Sequence, residues 1–297
     1  MLWFFENIME YILIFAAVIV LLLLAIYVYR ESTALSVTEY TLSDPRLKRD
    51  EYDIVMLSDL HETVHGKDNE EVFSIIDGIG PDAVFFAGDM ISSGGKRFSD
   101  YKRTLSFIEH LSRRYPVYYG IGNHEEKLKR PPGTQIKQWL YYTGELEKLS
   151  VHILQNEKVY IRDAGIVVYG LDLENKYYRK LKELPVPEGY LKELFGEPDR
   201  EYYSVLIAHF PDQFPAYAGW GADLVLSGHI HGGIIRLPFL GGVVSPQLKL
   251  FPKYDSGLFR EGSSVMILSR GLGTHTIPLR INNRAEIVHI KLIKSKD

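Results

Sequence analysis

No cysteine occurs among the 297 residues. Its absence excludes disulfides, thiolate metal sites and a thiol nucleophile together, so any bound metal must be held by His, Asp, Glu, Asn or water. A dominant charge is also missing. The 34 Lys+Arg against 38 Asp+Glu leave a formal net charge of −4, which offers no strong electrostatic case for non-specific nucleic-acid binding. Nor does any repeat, low-complexity tract or long polar linker after Ser36 divide the chain into further units. What remains, 46% hydrophobic and 24% charged, has the composition of a globular protein large enough to be held by core packing.

One stretch departs from that mean. Tyr11 to Tyr29 is a run of nineteen uncharged residues, which as a helix would span about 28 Å at ~1.5 Å per residue. A bilayer's hydrocarbon core is ~30 Å thick. Tyr11, Tyr27 and Tyr29 mark the ends, with Trp3 beyond, as amphipathic rings do at the headgroup level. A buried core helix is the bland alternative, but this run has no polar face and lies ahead of all globular patterning. A cleaved leader could use Ser32-Thr33-Ala34, but the segment before the run carries Glu6 and Glu10 and no cation. The run therefore predicts a single-pass anchor over residues 1–30, with the bilayer as a partner, and one catalytic domain over 31–297. Arg30, Arg46, Lys48 and Arg49 follow the span, which leans the domain toward the cytoplasmic side. Tyr177 and Tyr178 with Arg179, Lys180 and Lys182 are either headgroup contacts or a solvated loop.

Short apolar runs alternate with helical patterns in the first half of the domain. Ile54 to Leu57, Ala83 to Ala87 and Val117 to Tyr119 read as buried strands, separated by helices over Asn69 to Ile79 and after a Ser99 cap. Later runs at Val151, Val159, Ile166, Val205 and Leu224 add strands. The mixture predicts an α/β fold of two mixed sheets packed face to face and covered outside by helices.

The polar residues that follow these strands are the informative ones. Asp59 and His61 follow the first, Asp89 the second, Asn123 and His124 the third, His209 the run at Val205, and His229 and His231 the run at Leu224. Singly, each has an ordinary reading as a turn residue or a satisfied histidine. Together they are five of the ten histidines, two aspartates and one asparagine at strand ends, where α/β sheets bind ligands. Imidazole, carboxylate and amide donors without sulfur suit Mn²⁺, Fe or Zn²⁺, and the donors outnumber the needs of one ion. Two divalent metal ions are implied, with Mn²⁺ first and Asp89 as the bridging candidate. His65, His110, His152 and His289 lack such partners and are expected on the surface or on helix faces.

In this order, Asp59-x-His61, Gly88-Asp89, Gly122-Asn123-His124-Glu125, His209 and Gly228-His229-x-His231 resemble the calcineurin-like metallophosphoesterase family. The segments Gly232 to Pro238 and Ser269 to Gly273 are similar to its membrane-anchored bacterial branch. The resemblance implies a four-layer αββα sandwich. It implies Asp59, His61, Asp89 and His231 on one metal, and Asp89, Asn123, His209 and His229 on the other. His124 would face the substrate as general acid, with Glu125 able to orient it. Ile234 stands where that branch often has Gln, and His275 where a smaller residue is common.

The reaction implied is hydrolysis of a phosphate ester or pyrophosphate. One known activity in the branch cleaves the pyrophosphate of a UDP-linked diacylated glucosamine, so a phosphorylated, lipid-linked substrate is one expectation. A tethered phosphatase or nuclease for soluble substrates is the alternative, and a non-enzymatic interaction module a second. Arg236 is either a clamp on a phosphoryl oxygen or a salt-bridge partner.

Overall fold

The computed structural model describes residues 2–94, 101–129, 134–178, 184–237, 239–245, 249–274 and 279–296. Ser99, Arg179 to Lys182 and His275, singled out above, lie outside them. The first element, α1 (Leu2–Thr33), has neither glycine nor proline to interrupt it. Every side chain from Met9 to Tyr27 is exposed, so this stretch adds nothing to the core. Met9–Thr33 is long and apolar enough to cross a membrane. The helix stops where the Thr33 hydroxyl donates back to the Tyr29 carbonyl at 3.0 Å, and the chain turns into strand.

Five strands of the first sheet come in chain order: β1 (Leu35–Asp44), β2 (Glu51–Leu57), β3 (Ala83–Ala87), β4 (Val117–Gly120) and β5 (His152–Leu154). The second sheet holds β6 (Glu157–Ile161), β7 (Ile166–Gly170), β8 (Tyr203–Ile207), β9 (Leu224–Ser227), β12 (Gly257–Glu261) and β13 (Ser264–Leu268). A two-stranded ribbon, β10 (Arg236–Leu237) and β11 (Gly241–Gly242), lies between β9 and β12 in sequence. The last strand, β14 (Ala285–Lys294), returns to the first sheet, giving the order β1-β14-β2-β3-β4-β5 against β12-β13-β9-β8-β7-β6. β2 to β5 run parallel, as do β7, β8, β9 and β13.

Strands buried on both faces explain the uninterrupted apolar runs. Ile54 and Met56 point between the sheets, where they meet Val205, Ile207, Leu224 and Leu226. Val55 and Leu57, one residue out of phase, pack instead beneath α2 (Glu70–Ile79), α3 (Lys102–Ser112) and α5 (Thr134–Lys148). On the far side, Tyr169, Leu206 and Val225 lie under α6 (Tyr190–Phe195) and α7 (Phe214–Trp220). A short α4 (Asn123–Leu128) caps β4 at the rim. The layers are helix, sheet, sheet, helix, as expected.

Some expectations need correction. His65 is buried, with Nε2 at 2.9 Å from the Leu272 carbonyl oxygen. His289, on a strand that alternates inward and outward, is also buried and pairs with Asp53 and Glu39. Tyr177 and Tyr178 pack into the second outer core and so cannot reach a headgroup layer.

Candidate metal centre

Five parallel-strand ends deliver their polar residues to one rim: β2 to Asp59 and His61, β3 to Asp89, β4 to Asn123 and His124, β8 to His209, and β9 to His229 and His231. The turns are tight because the carboxylates lie against neighbouring backbone. A Cβ on Gly122 would sit 2.3 Å from Asp89 Oδ1, and one on Gly228 2.4 Å from Asp59 Oδ2; only glycine permits either approach. Five of the predicted ligands occupy left-handed backbone, with φ of 51° at Asp59, 46° at His61, 52° at Asp89, 76° at His229 and 54° at His231. Each such residue costs about 1–2 kcal/mol. Strain of this kind survives where function selects it and the surroundings enforce it.

Asp89 is at the centre. Its Oδ1 accepts the His124 backbone N–H at 2.8 Å. Its Oδ2 lies 3.1 Å from His209 Nε2 and 4.0 Å from both His61 Nε2 and His124 Nε2. Asp59 accepts the His229 backbone N–H with both oxygens, at 3.0 and 3.1 Å, while its Oδ1 lies 3.4 Å from His231 Nε2. Three donor sets each fall within 4.8 Å: Asp59, His61 and His231; His61, Asp89 and His124; and Asp89, His209 and His229. Asn123 opens α4 beside them, its buried amide oxygen without a hydrogen-bond partner among the described residues. A buried acceptor left so costs ~1–3 kcal/mol, and a cation would satisfy it.

Outer contacts aim the rings. His209 Nδ1–H donates to the Ala87 carbonyl at 2.6 Å, and His231 Nδ1–H to the Gly273 carbonyl at 3.1 Å. Both leave Nε2 facing the carboxylates, the tautomer a metal ligand needs. The Ser92 hydroxyl lies 3.3 Å from His61 Nδ1. His124 differs: its Nδ1 accepts the Ser93 backbone N–H at 2.8 Å, which puts the ring proton on Nε2. Glu125 does not orient this ring. Its carboxylate accepts the backbone N–H groups of Asp89, Met90, Ile91 and Gly122 and the Tyr119 hydroxyl, and so shapes the Asp89 turn.

The electrostatics follow from this packing. Burial alone would raise Asp89, but His209 and His124 hold it well below the usual carboxylate range. Burial alone would lower His209, and Asp89 outweighs it, pushing the imidazole up to about 9. Burial holds His229 and His231 below the ordinary histidine value. Burial and the neighbouring Asp89 charge raise Glu125 to about 7.

Residues beyond the sequence motifs complete the site. The buried Arg280 donates to five carbonyls, those of Arg270, Gly271, Gly273, Asn283 and Arg284. The Gly273 carbonyl, 2.6 Å from Arg280 Nη2, is the one that also receives His231. Asn283 Nδ2 donates to the His231 carbonyl at 2.7 Å. The segment Ser269 to Gly273 is visible in the sequence only through its resemblance to a branch, and nothing local marks Arg280 or Asn283. Arg236 is tied to Asp255 at 2.9 Å and to the Gly232 carbonyl at 3.0 Å, at the base of the ribbon.

The chain matches the calcineurin-like phosphoesterase family over residues 52–233. The chain is 28% identical over 267 residues to the uncharacterized metallophosphoesterase YkuE of Bacillus subtilis, covering 87% of this chain and 86% of that one. It is 26% identical over 214 residues to the phosphodiesterase YaeI of Escherichia coli, covering 72% and 71%. A transmembrane protein with metallophosphoesterase domain from Danio rerio is 26% identical over 258 residues, covering 80% of this chain and 52% of that one. The chain spans between 51% and 97% of the length of such relatives.

Proposed function

We propose that this chain, which belongs to the calcineurin-like phosphoesterase family, is a membrane-anchored two-metal hydrolase that cleaves a phosphodiester or pyrophosphate bond in a substrate carried at the bilayer surface. The observation that carries the reading is Asp89, whose Oδ2 lies 3.1 Å from His209 Nε2 and 4.0 Å from His61 Nε2, within reach of a ligand of each proposed ion. Asp59, His61, Asp89 and His231 would hold one ion, and Asp89, Asn123, His209 and His229 the other. Two divalent ions, the complement this family uses, would supply Lewis acidity toward the phosphoryl oxygens and a nucleophile from water near neutral pH. Mn²⁺ fits the nitrogen and oxygen donors, as do Fe and Zn²⁺.

The protein's own groups do the rest. His124 holds its proton on Nε2, 4.0 Å from Asp89 Oδ2, and would donate it to the leaving oxygen. The loop to Ser93 keeps that proton on the inward nitrogen through the Ser93 N–H. Asp59 spans the β2 and β9 ends by accepting the His229 N–H, so the two halves of the site share one frame. A nonenzymatic role would leave the strain and the orphaned Asn123 oxygen without purpose.

Anchoring is supported by the exposed apolar surface of α1, which water would disfavour by about 1.5–3 kcal/mol for each large side chain. Its last turn belongs to the domain: Arg284 Nε donates to Glu31 Oε1 at 2.8 Å, and the Arg280 N–H to Ser32 Oγ at 3.2 Å. These contacts argue against a leader cut at Ser32 to Ala34. Flanking cations favour the cytoplasmic face. The E. coli relative's designation favours a diester bond, and the anchor favours a lipid-linked one.

The test is metal analysis of the full chain in detergent together with Mn²⁺-dependent hydrolysis of bis-p-nitrophenyl phosphate and of lipid-linked diesters and pyrophosphates. His124→Ala is expected to keep both metals and lose about 10²–10⁴-fold in rate. Unchanged turnover in that variant would remove His124 from the chemistry, and preference for soluble over lipid-linked substrates would favour the tethered soluble-substrate reading.

A further inference from the structure

Outside α1, eight large apolar side chains are exposed among the described residues, and five of them crowd one small element: Leu237, Phe239, Leu240, Leu250 and Phe251. Phe239 is fully exposed, and Leu240, Leu250 and Phe251 are each more than half exposed. They decorate a ribbon of three short segments. Leu237 pairs with Gly241 across the first turn, and Val244 bridges Leu250 while the Phe251 N–H donates to the Val243 carbonyl at 2.9 Å. An isolated apolar side chain at a surface is ordinary, but a cluster is not.

The ribbon's position says what covers it. Ile235 bridges Ile281 in parallel, and the Asn282 amide donates to the Arg236 carbonyl at 3.4 Å. The same Asn282 accepts the Tyr27 hydroxyl of α1. Two hydrogen bonds thus separate the ribbon from Tyr27, near the end of the apolar run. A strand advances about 3.3 Å per residue, so Phe239 and Leu240 lie within roughly 10–13 Å of Arg236 along the chain. If Tyr27 is at the headgroup level, the exposed aromatic and leucine tip is at that level too. Exposed Lys253, two residues beyond Phe251, adds a cation suited to anionic lipid.

We propose that this ribbon is a second membrane contact, with Leu237, Phe239, Leu240, Leu250 and Phe251 embedded in the interfacial layer of a phospholipid bilayer beside α1. The proposal rests on the anchored reading of α1 and goes beyond it. One transmembrane helix leaves the domain free to tilt, whereas a helix and an apolar ribbon fix its height and orientation. The ribbon grows directly out of the ligand loop: His231 is followed by Gly232, whose carbonyl is held by Arg236. Seating the ribbon in lipid therefore brings the His231 side of the metal centre to the bilayer surface, where a lipid-borne phosphoryl group resides.

Because the chain lacks cysteine, single probes can be placed at will. Phe239→Cys, Leu22→Cys and Leu140→Cys are each labelled with an environment-sensitive fluorophore in the full chain, reconstituted into vesicles of phosphatidylcholine and phosphatidylglycerol. Leu140, exposed on α5, is the water-facing control. Lipids carrying a spin label high on the acyl chain should quench the probe at position 239 and leave the one at 140 bright, while a deep spin label should quench position 22. A position-239 probe no more quenched than the one at 140, with position 22 quenched, would overturn the ribbon contact and leave the anchor standing. Loss of quenching at both 22 and 239 would overturn both readings. A blue-shifted but unquenched probe at 239 would assign the patch to a contact between copies of this chain and overturn the lipid assignment. None of these readouts needs catalysis, so they stand apart from the phosphoesterase reading. In the active protein, Phe239→Ser with Leu240→Ser is expected to retain hydrolysis of bis-p-nitrophenyl phosphate and to lose turnover of vesicle-embedded substrate.

Discussion

The rim of the sheets and the ribbon behind it are a few residues apart in sequence and opposite in construction. At the rim, polar groups are buried, five ligand residues sit at positive φ, and the rings of His61, His124, His209 and His231 each meet a second polar contact. On the ribbon, apolar groups are exposed, the pairing is two residues long, and few partners hold the side chains. Dense packing can enforce strain, and it does so where Asp59, Asp89 and His231 must be aimed. Loose packing tolerates exposed apolar surface, which suits a contact completed by something outside the chain.

The sharpest way to break this contrast is Asp89→Asn. If the rim depends on one shared anion, the variant should lose on the order of 10³-fold in rate, comparable to removing a key electrostatic group, along with much of its bound metal. Calorimetric titration of the metal-stripped variant checks it, and wild-type affinity there would mean that Asp89 is only a turn residue. Next comes Arg280→Lys, which keeps the charge but cannot reach five carbonyls. Through Gly273 and His231 it should weaken metal affinity by about 10–100-fold, the usual range for groups supporting a ligand, and should move metal titration midpoints even at temperatures where the fold is intact.

The third test uses pH. With His209 pushed up to about 9 in the metal-free site, its proton competes with metal at neutral pH. Affinity for Mn²⁺ should rise with pH toward 9, with proton release visible as a buffer-dependent binding heat. A pH-independent affinity would contradict the pairing of His209 with Asp89. A smaller effect concerns His65, which burial holds below its ordinary value. Below about pH 6.5 the unfolded chain takes up that proton before the folded one does. Stability should therefore fall as pH drops from there toward the folded value, and His65→Asn should flatten that slope in thermal melts. Smallest of all, Phe239→Ser should change unfolding free energy by no more than about 0.5 kcal/mol, as surface substitutions do.

The rim is legible in the sequence because fully buried strands give unbroken apolar runs, and Asp59, Asp89 and His209, two residues past Leu57, Ala87 and Ile207, have nowhere to go but the sheet edge. The layer order was legible for the same reason. What supports the rim was not. β14 carries the chain back between β1 and β2, and the loop before it inserts Arg280 and Asn283 behind His231, more than forty positions away in sequence. No local period announces such a contact. Glu125 departs for a related reason: the family resemblance implies a partner for His124, while the helical turn of α4 sends its carboxylate under Asp89. The buried His289 was missed because a histidine between Asp53 and Glu39 becomes visible only after β14 is paired.

The most direct measurement is the electron paramagnetic resonance spectrum of the full-length protein loaded with Mn²⁺ to saturation. Two ions per chain with an exchange-coupled signal, collapsing to uncoupled Mn²⁺ in Asp89→Asn, is the predicted result. A single ion, or two ions without magnetic coupling in the unmodified protein, would contradict the shared-carboxylate centre.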